Sequence, residues 1–505
     1  MKRMKKIFAL LIAMVMVLGM STSVFAAQSS ANTITVNGAK AGETYKAYKM
    51  LELYVNDTSN PSAYAYTVAS DWANFFADSN SAVWGTVLEK DATGTYFQAK
   101  SGVTSETAWS SSSALSAFAE AAAKYAKDNS LTPVDTDTPT GTTATLNTTE
   151  SGYYLVTSTL GTIAMIDTTP GDVTINEKNS EDTIEKEVKE DSTGSYGESN
   201  DVQVGDTVEF KSTVKVAPRS INVVIHDTMD SGLTFSGNSS IKLYTDAALT
   251  TELASTLYEI KTTPDTGDTF TIKIKDAFAA ETTADAYIYI TYTAVVNNAA
   301  VVKDANGVAI VDQNNKTKVS FGDGTTSTED STTTTTHKFE VKKYATGIEN
   351  LANAIFQLKK GETVVNLIKL DDTNYRVADA TEATTGTAAT HVAANNEVAT
   401  VAANSLVSDF VTVSSGNTVI WGLDSDSDYS IVEIQAPKGY NMLNPASTSV
   451  TVASTNATVI EVENQSGTEL PSTGGIGTTI FYIVGAILVI GAGVVLVTRR
   501  RMNVQ

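Results

Sequence analysis

The sequence predicts a mainly β protein: tandem β-sandwich domains of the immunoglobulin-like kind, flanked by a secretory signal peptide and a C-terminal apolar helix. Three observations predict it. The interior is rich in Thr, Val, Tyr and Ser, with 20 tyrosines against 9 prolines, a composition suited to pleated, half-buried strands. Apolar and polar residues alternate over short runs, as in Tyr287-Ile288-Tyr289-Ile290-Thr291-Tyr292, so that successive side chains face opposite ways. Turn signals such as Asp230-Ser231-Gly232 separate such runs, as the strands of a sandwich require.

The first element is the signal peptide, residues 1–26. Met1 to Lys6 carries four positive charges, Ile7 to Met20 is almost unbroken apolar sequence, and Val24-Phe25-Ala26 offers small residues for cleavage after Ala26. A membrane anchor is the competing reading; the short run and the small-residue site favour the signal peptide. Residues 27–180 form the next unit, α+β or mainly β. It opens on strand-like Asn32-Thr33-Ile34-Thr35-Val36 and Tyr45-Lys46-Ala47-Tyr48, holds a helical region from Ser113 to Asp128, and closes on Gly152-Tyr153-Tyr154-Leu155-Val156. Residues 181–335 follow with strands such as Thr207-Val208-Glu209-Phe210, up to the low-complexity joint Thr332 to Thr336. Residues 336–468 repeat the short-strand pattern. The three units show no clean internal repeat, so a solenoid is not expected. The last element, 470–505, begins with Leu470-Pro471-Ser472-Thr473-Gly474. The uncharged stretch Ile476 to Val497 and then Arg499-Arg500-Arg501 follow. As a helix that stretch is roughly 33 Å long, enough to cross a bilayer core, and the arginines hold its end on the cytoplasmic side.

Composition excludes several functions. Lys and Arg total 35 against 57 Asp and Glu, a net charge of -22, and seven of the basic residues sit at the two ends. An acidic surface of this kind repels phosphate, so nucleic acid is not an expected partner. Cysteine is absent, which removes disulfides, thiolate metal sites and cysteine nucleophiles. Only His226, His337 and His391 supply imidazole, and they are scattered, so a hydrolytic wall enzyme is disfavoured. No cofactor or metal is called for, although the acidic loops leave cation binding open.

The chemistry lies in polar residues that alternation turns inward. Phe339, Val341 and Lys343 share one face of their strand; Tyr429, Ile431 and Glu433 share another; Ile460, Val462 and Asn464 share a third. A buried lysine is costly unless paired or neutral. From alternation alone, a buried salt bridge with a satisfied amide accounts for all three.

Three stretches of the last unit resemble the Cna B-type domain: Val341-Lys342-Lys343, Leu351 to Leu358, and Tyr429-Ser430-Ile431-Val432-Glu433 through Gly439-Tyr440, the last like that family's E-box. Asn353 stands where the family usually has glycine. The resemblance implies a spontaneous isopeptide bond, with Lys343 as nucleophile, Asn464 as electrophile and Glu433 as catalytic acid. Residues 181–335 resemble the isopeptide-forming middle domain of fimbrial subunits at Ile184-Glu185-Lys186-Glu187-Val188, Val204 to Phe210, Ile225 to Leu233, and Asn315 six residues before Phe321. That resemblance implies a Lys186–Asn315 bond with Asp227 as its acid. Asn314 competes with Asn315, and a turn-capping carboxylate competes as the reading of Asp227. Each bond is expected to join the first strand of its domain to the last. Gly152-Tyr153-Tyr154-Leu155-Val156 looks like an E-box strand without its Glu, so no cross-link is expected in the first unit.

The C-terminal element resembles the tripartite sorting signal of Gram-positive wall proteins. By that resemblance a sortase cuts between Thr473 and Gly474 and makes Thr473 the acyl donor. Fimbrial shaft subunits offer an acceptor lysine near the end of the first domain, usually in Tyr-Pro-Lys-Asn. Here Val173-Thr174-Ile175-Asn176-Glu177-Lys178-Asn179 occupies the place, with Asn and Glu for Tyr and Pro. Lys178 is therefore the expected acceptor, an ordinary linker lysine being the bland alternative. The whole implies a non-enzymatic pilus shaft subunit, secreted and covalently anchored to the cell wall. Its implied partners are pilin-specific and housekeeping sortases, identical subunits, peptidoglycan and a host-surface ligand. A monomeric or tip adhesin is the rival reading.

Overall fold

The computed structural model describes residues 26–27, 31–55, 64–101, 103, 114–168, 171–177, 180–218, 220–280, 282, 284–456, 458–467 and 476–502. The signal-peptide residues before Ala26, Lys178, and the stretch Leu470-Pro471-Ser472-Thr473-Gly474 lie outside them. The protein is mainly β, as the alternation predicts, with its strands gathered into stacked sheets.

In the first unit the central strand Tyr45–Val55 pairs with Gly152–Ser158 and Tyr64–Val68 in a large antiparallel sheet. A smaller sheet holds Asn32–Asn37 between Thr143–Thr148 and the parallel Val173–Asn176. The helix Ala114–Asp128 covers one face, burying Phe118, Ala119 and Ala122 against Trp72, Phe75 and Phe76. This helix is rich in alanine and has an amphipathic pattern, so its stability comes from that buried stripe.

The middle segment is a two-sheet sandwich. One sheet carries Thr183–Lys189, Thr207–Val216 and Ala286–Val296, with Lys186 opposite Ser212. The other carries Asp330–Thr335, Gln313–Phe321, Val224–Met229 and Phe270–Ile274. The strict period of two along Thr207–Val216 and Ala286–Val296 sends Val208, Phe210, Val214, Ile288, Ile290 and Tyr292 into the space between. The last segment repeats the plan: His337–Tyr344 lies between Thr418–Leu423 and the parallel Val459–Glu463, facing a sheet built on Ile355–Lys360 and Tyr429–Gln435. Asn353 adopts φ 70°. It takes a left-handed turn that asparagine tolerates better than most residues, which explains how it can stand at a glycine position.

One apolar core runs through the middle and last segments. At their joint the Val204 amide donates to the Gly422 carbonyl at 3.0 Å. A Cβ on Gly422 would lie 2.8 Å from Val204 Cγ2, so only glycine permits this approach. The Tyr429 hydroxyl donates to Gln203 Oε1 at 2.9 Å, and Lys360 pairs with Asp206 at 3.2 Å. A single helix, Ile476–Met502, carries the C-terminal apolar stretch; among the described residues it alone is long and apolar enough to cross a membrane.

Candidate functional site: two buried lysine, carboxylate and asparagine clusters

In the middle segment Lys186 projects from one sheet while Asp227 and Asn315 project from the other, and all three are at most 2 % exposed. Lys186 Nζ lies 2.5 Å from Asp227 Oδ2 and also contacts the Tyr292 hydroxyl. That hydroxyl donates to Asp227 Oδ2 at 2.5 Å and accepts from Asn315 Nδ2 at 3.2 Å. The Phe210 ring centroid lies 5.6 Å from the amine. Burial pushes the lysine pKa down and the carboxyl pKa up, because neither charge is solvated there. Asp227 lies within strand Val224–Met229, paired to Phe270 and Thr317, rather than in a turn. Asn314 points to the other face, where its amide donates to Asp230 and its carbonyl accepts from Thr333. It is Asn315, in step with Val319 and Phe321, that enters the cluster.

One expectation needs correction. Asn315 does not lie on the final strand of the middle sandwich: Gln313–Phe321 is followed by Asp330–Thr335, which pairs back onto it. The Lys186 amide donates to Asp330 at 2.7 Å.

In the last segment Lys343 and Asn464 come from neighbouring parallel strands of one sheet, Asn464 one residue past Val459–Glu463, and Glu433 reaches in from the opposite sheet. Lys343 Nζ is 3.8 Å from Glu433 Oε1 and donates to the Val462 carbonyl at 3.3 Å. Asn464 Nδ2 donates to Glu433 Oε2 at 3.3 Å and to the Asn441 carbonyl at 2.6 Å, while the Leu443 amide holds the same Oε2 at 2.8 Å. Burial lowers the Lys343 pKa from 10.5 to about 8. That raises the neutral, nucleophilic fraction at pH 7 by roughly 300-fold. Asp227 Oδ1, Asn315 Oδ1, Glu433 Oε1 and Asn464 Oδ1 are buried without a hydrogen-bond partner among the described residues. Each cluster thus leaves two buried oxygens, one of its carboxyl group and one of its amide, short of a donor.

Residues 337–466 match a family model described as SpaA, a prealbumin-like fold domain. This stretch is similar to that family and is called the SpaA-type domain below. Residues 462–504 match the LPXTG cell wall anchor motif, and with the apolar helix behind it the chain is anchored at the cell wall. No curated protein matches the sequence. Among solved structures the chain is similar to the T6 backbone pilin of serotype M6 Streptococcus pyogenes, at 16% identity over 84% of this chain and 80% of that one, with a TM-score of 0.44. It is also similar to the full-length RrgB pilus protein of Streptococcus pneumoniae, at 14% identity over 89% and 100% of the two chains, with a TM-score of 0.44. The Corynebacterium diphtheriae major pilin SpaA is similar at 14% identity over 86% and 100%, with a TM-score of 0.43.

Sequence reasoning missed two residues. Tyr292 shares its parity with Ile288 and Ile290, so alternation alone could have placed its hydroxyl inside the sandwich. His337, at the start of the SpaA-type domain, shares the inward parity of Phe339, Val341 and Lys343. Its Nε2 is 3.1 Å from Asp201 Oδ2, a residue of the middle segment, and its Nδ1 is 3.3 Å from Asn456 Oδ1. That Oδ1 also accepts the Lys338 amide, so both ring nitrogens face acceptors and only the imidazolium satisfies both. Burial works against the charge, but Asp201 and, more weakly, Asn456 and Asp424 outweigh it, and the pKa rises above 6.5. A raised folded pKa means that the folded state binds the extra proton. The contribution is therefore complete below 6.5 and is lost as pH rises through the folded value. His337→Gln is expected to remove this pH dependence and to cost about 1 to 2 kcal/mol at low pH, roughly 5 °C in the unfolding midpoint. Calorimetry across that pH range tests it; a wild-type midpoint flat with pH would contradict it.

Proposed function

We propose that the chain is the shaft subunit of a Gram-positive pilus. In this reading sortase polymerises it through Thr473 to Lys178 of the next subunit, and two self-formed isopeptide bonds, Lys186–Asn315 and Lys343–Asn464, brace it. The domains are those of residues 27–180, 181–335 and 336–468. The observation that carries the reading is the pair of buried lysine, carboxylate and asparagine clusters, in successive sandwiches, ahead of a cell wall anchor.

The chemistry follows from burial. A neutral lysine Nζ attacks the asparagine Cγ, the carbonyl electrons move to Oδ1, and the Cγ–Nδ2 bond breaks as Nδ2 leaves as ammonia. The carboxyl group takes the lysine proton and returns a proton to the leaving nitrogen. In the SpaA-type domain Glu433 Oε2 and the Asn441 carbonyl hold the departing Nδ2, so its direction of exit is set before reaction. Each closure spans about 120 to 130 residues, which the chain-entropy model values at roughly 4 to 5 kcal/mol. In a fibre without cysteine these links also carry load. Tension entering at His337 and leaving past Asn464 passes through the Lys343 bond and bypasses the sheets.

Mass spectrometry of the chain and of its sortase-made polymer tests the proposal. The expected mass is about 34 Da below that of the sequence, roughly 17 per ammonia lost, and the polymer is expected to yield peptides joining Thr473 to Lys178. An unmodified mass would remove the cross-links. Cross-linked domains with no Lys178 conjugate would instead indicate a monomeric or terminal adhesin.

A further inference from the structure

We propose that the Tyr292 hydroxyl is a catalytic group of the middle cross-link, relaying a proton between Asp227 and the departing nitrogen of Asn315. The inference rests on the reading of Lys186 and Asn315 as a bonded pair. Tyr292 touches every reacting group: Lys186 Nζ, Asp227 Oδ2 and Asn315 Nδ2. The two clusters differ in a way that calls for it. In the SpaA-type domain the longer Glu433 reaches the asparagine nitrogen directly. In the middle sandwich the acid is an aspartate, one methylene shorter, and its Oδ2 is engaged by Lys186 and Tyr292 while Asn315 Nδ2 donates to Tyr292. The phenol bridges the interval. Its ring is held by stacking on Phe210 at 5.6 Å and by an edge contact with Phe270 at 4.7 Å, so the hydroxyl is fixed before reaction. Burial and the neighbouring Asp227 keep the phenol protonated, as a relay donor must be.

The step balances. Lys186 gives one proton to Asp227, and the free amine adds to Asn315 Cγ. Tyr292 protonates Nδ2 while taking the proton from Asp227, and Cγ–Nδ2 breaks to release ammonia. The proton left on Nζ passes to Asp227, which ends neutral beside the new amide.

The full chain is made by cell-free translation, and both conjugates are followed over time by peptide mass spectrometry. Tyr292→Phe keeps the ring packing and is expected to slow the Lys186–Asn315 conjugate by at least about 100-fold. The Lys343–Asn464 conjugate in the same molecules is expected to form at the wild-type rate. A Lys186–Asn315 conjugate forming at the wild-type rate in Tyr292→Phe overturns the relay and leaves the cross-link reading intact. A wild-type chain lacking that conjugate overturns the reading itself. Should Tyr292→Phe lose amide-exchange protection along Ala286–Val296, 3-fluorotyrosine at position 292 decides. It keeps the hydroxyl and makes it more acidic, so the pH profile of conjugate formation is expected to shift, and an unmoved profile overturns the relay.

Discussion

Asn464→Ala is expected to leave the chain one ammonia loss short, with a mass about 17 Da below that of its own sequence instead of about 34. The unfolding midpoint of the SpaA-type domain is expected to fall by on the order of 15 °C. This follows from roughly 4 to 5 kcal/mol of lost closure spread over the unfolding entropy of a domain of this size. The variant also acquires a pH dependence that the wild type lacks. Lys343 stays a free buried amine with its pKa lowered from 10.5 to about 8 by burial. Between those values the unfolded chain binds more protons than the folded one, so the variant's stability rises with pH across that window. In a cross-linked wild type the same nitrogen would be an amide and would not titrate. Calorimetry across the window, paired with intact mass, tests both parts; a variant that keeps the full deficit would show that Asn464 is not the acceptor carbon.

A larger effect is expected of Asp227→Ala. It leaves the Lys186 side chain, which has no solvent exposure, without its carboxylate, and a buried ion deprived of its partner costs about 3 to 5 kcal/mol. The same change stops the bond from forming, a further loss of roughly 4 to 5 kcal/mol. Together these approach the whole stability of an ordinary domain, about 5 to 15 kcal/mol, so the middle sandwich is expected to be largely unfolded. Lys186→Met in the Asp227→Ala background removes the stranded charge. It is expected to recover the first part of the loss and none of the second, which separates burial from linkage. If Asp227→Ala instead keeps both the mass deficit and the midpoint, Asp227 has no part in the chemistry.

Much of this arrangement is legible in the chain because a strand has a period of two. Parity with Phe339 and Val341 turns Lys343 inward, parity with Ile431 does the same for Glu433, and parity with Val462 for Asn464, before any fold is known. The same rule distinguishes Asn315 from Asn314 once Val319 and Phe321 are taken as core. The C-terminal anchor is legible for another reason: its motif, apolar span and arginines are contiguous, so no long-range pairing intervenes. Parity says which face a side chain takes, but not which strand lies across from it. That the middle cluster draws its lysine and asparagine from opposite sheets while the SpaA-type cluster takes them from parallel neighbours, that Asp330–Thr335 lies beyond Asn315, and that Tyr292 bridges a short acid are outcomes of strand pairing over a hundred residues and more. His337 meets Asp201 only because two sandwiches share a core. Local pattern determined the inward polar set; only tertiary packing decided its partners, because distant strands are brought together by the burial of their whole faces and not by any residue within the motifs.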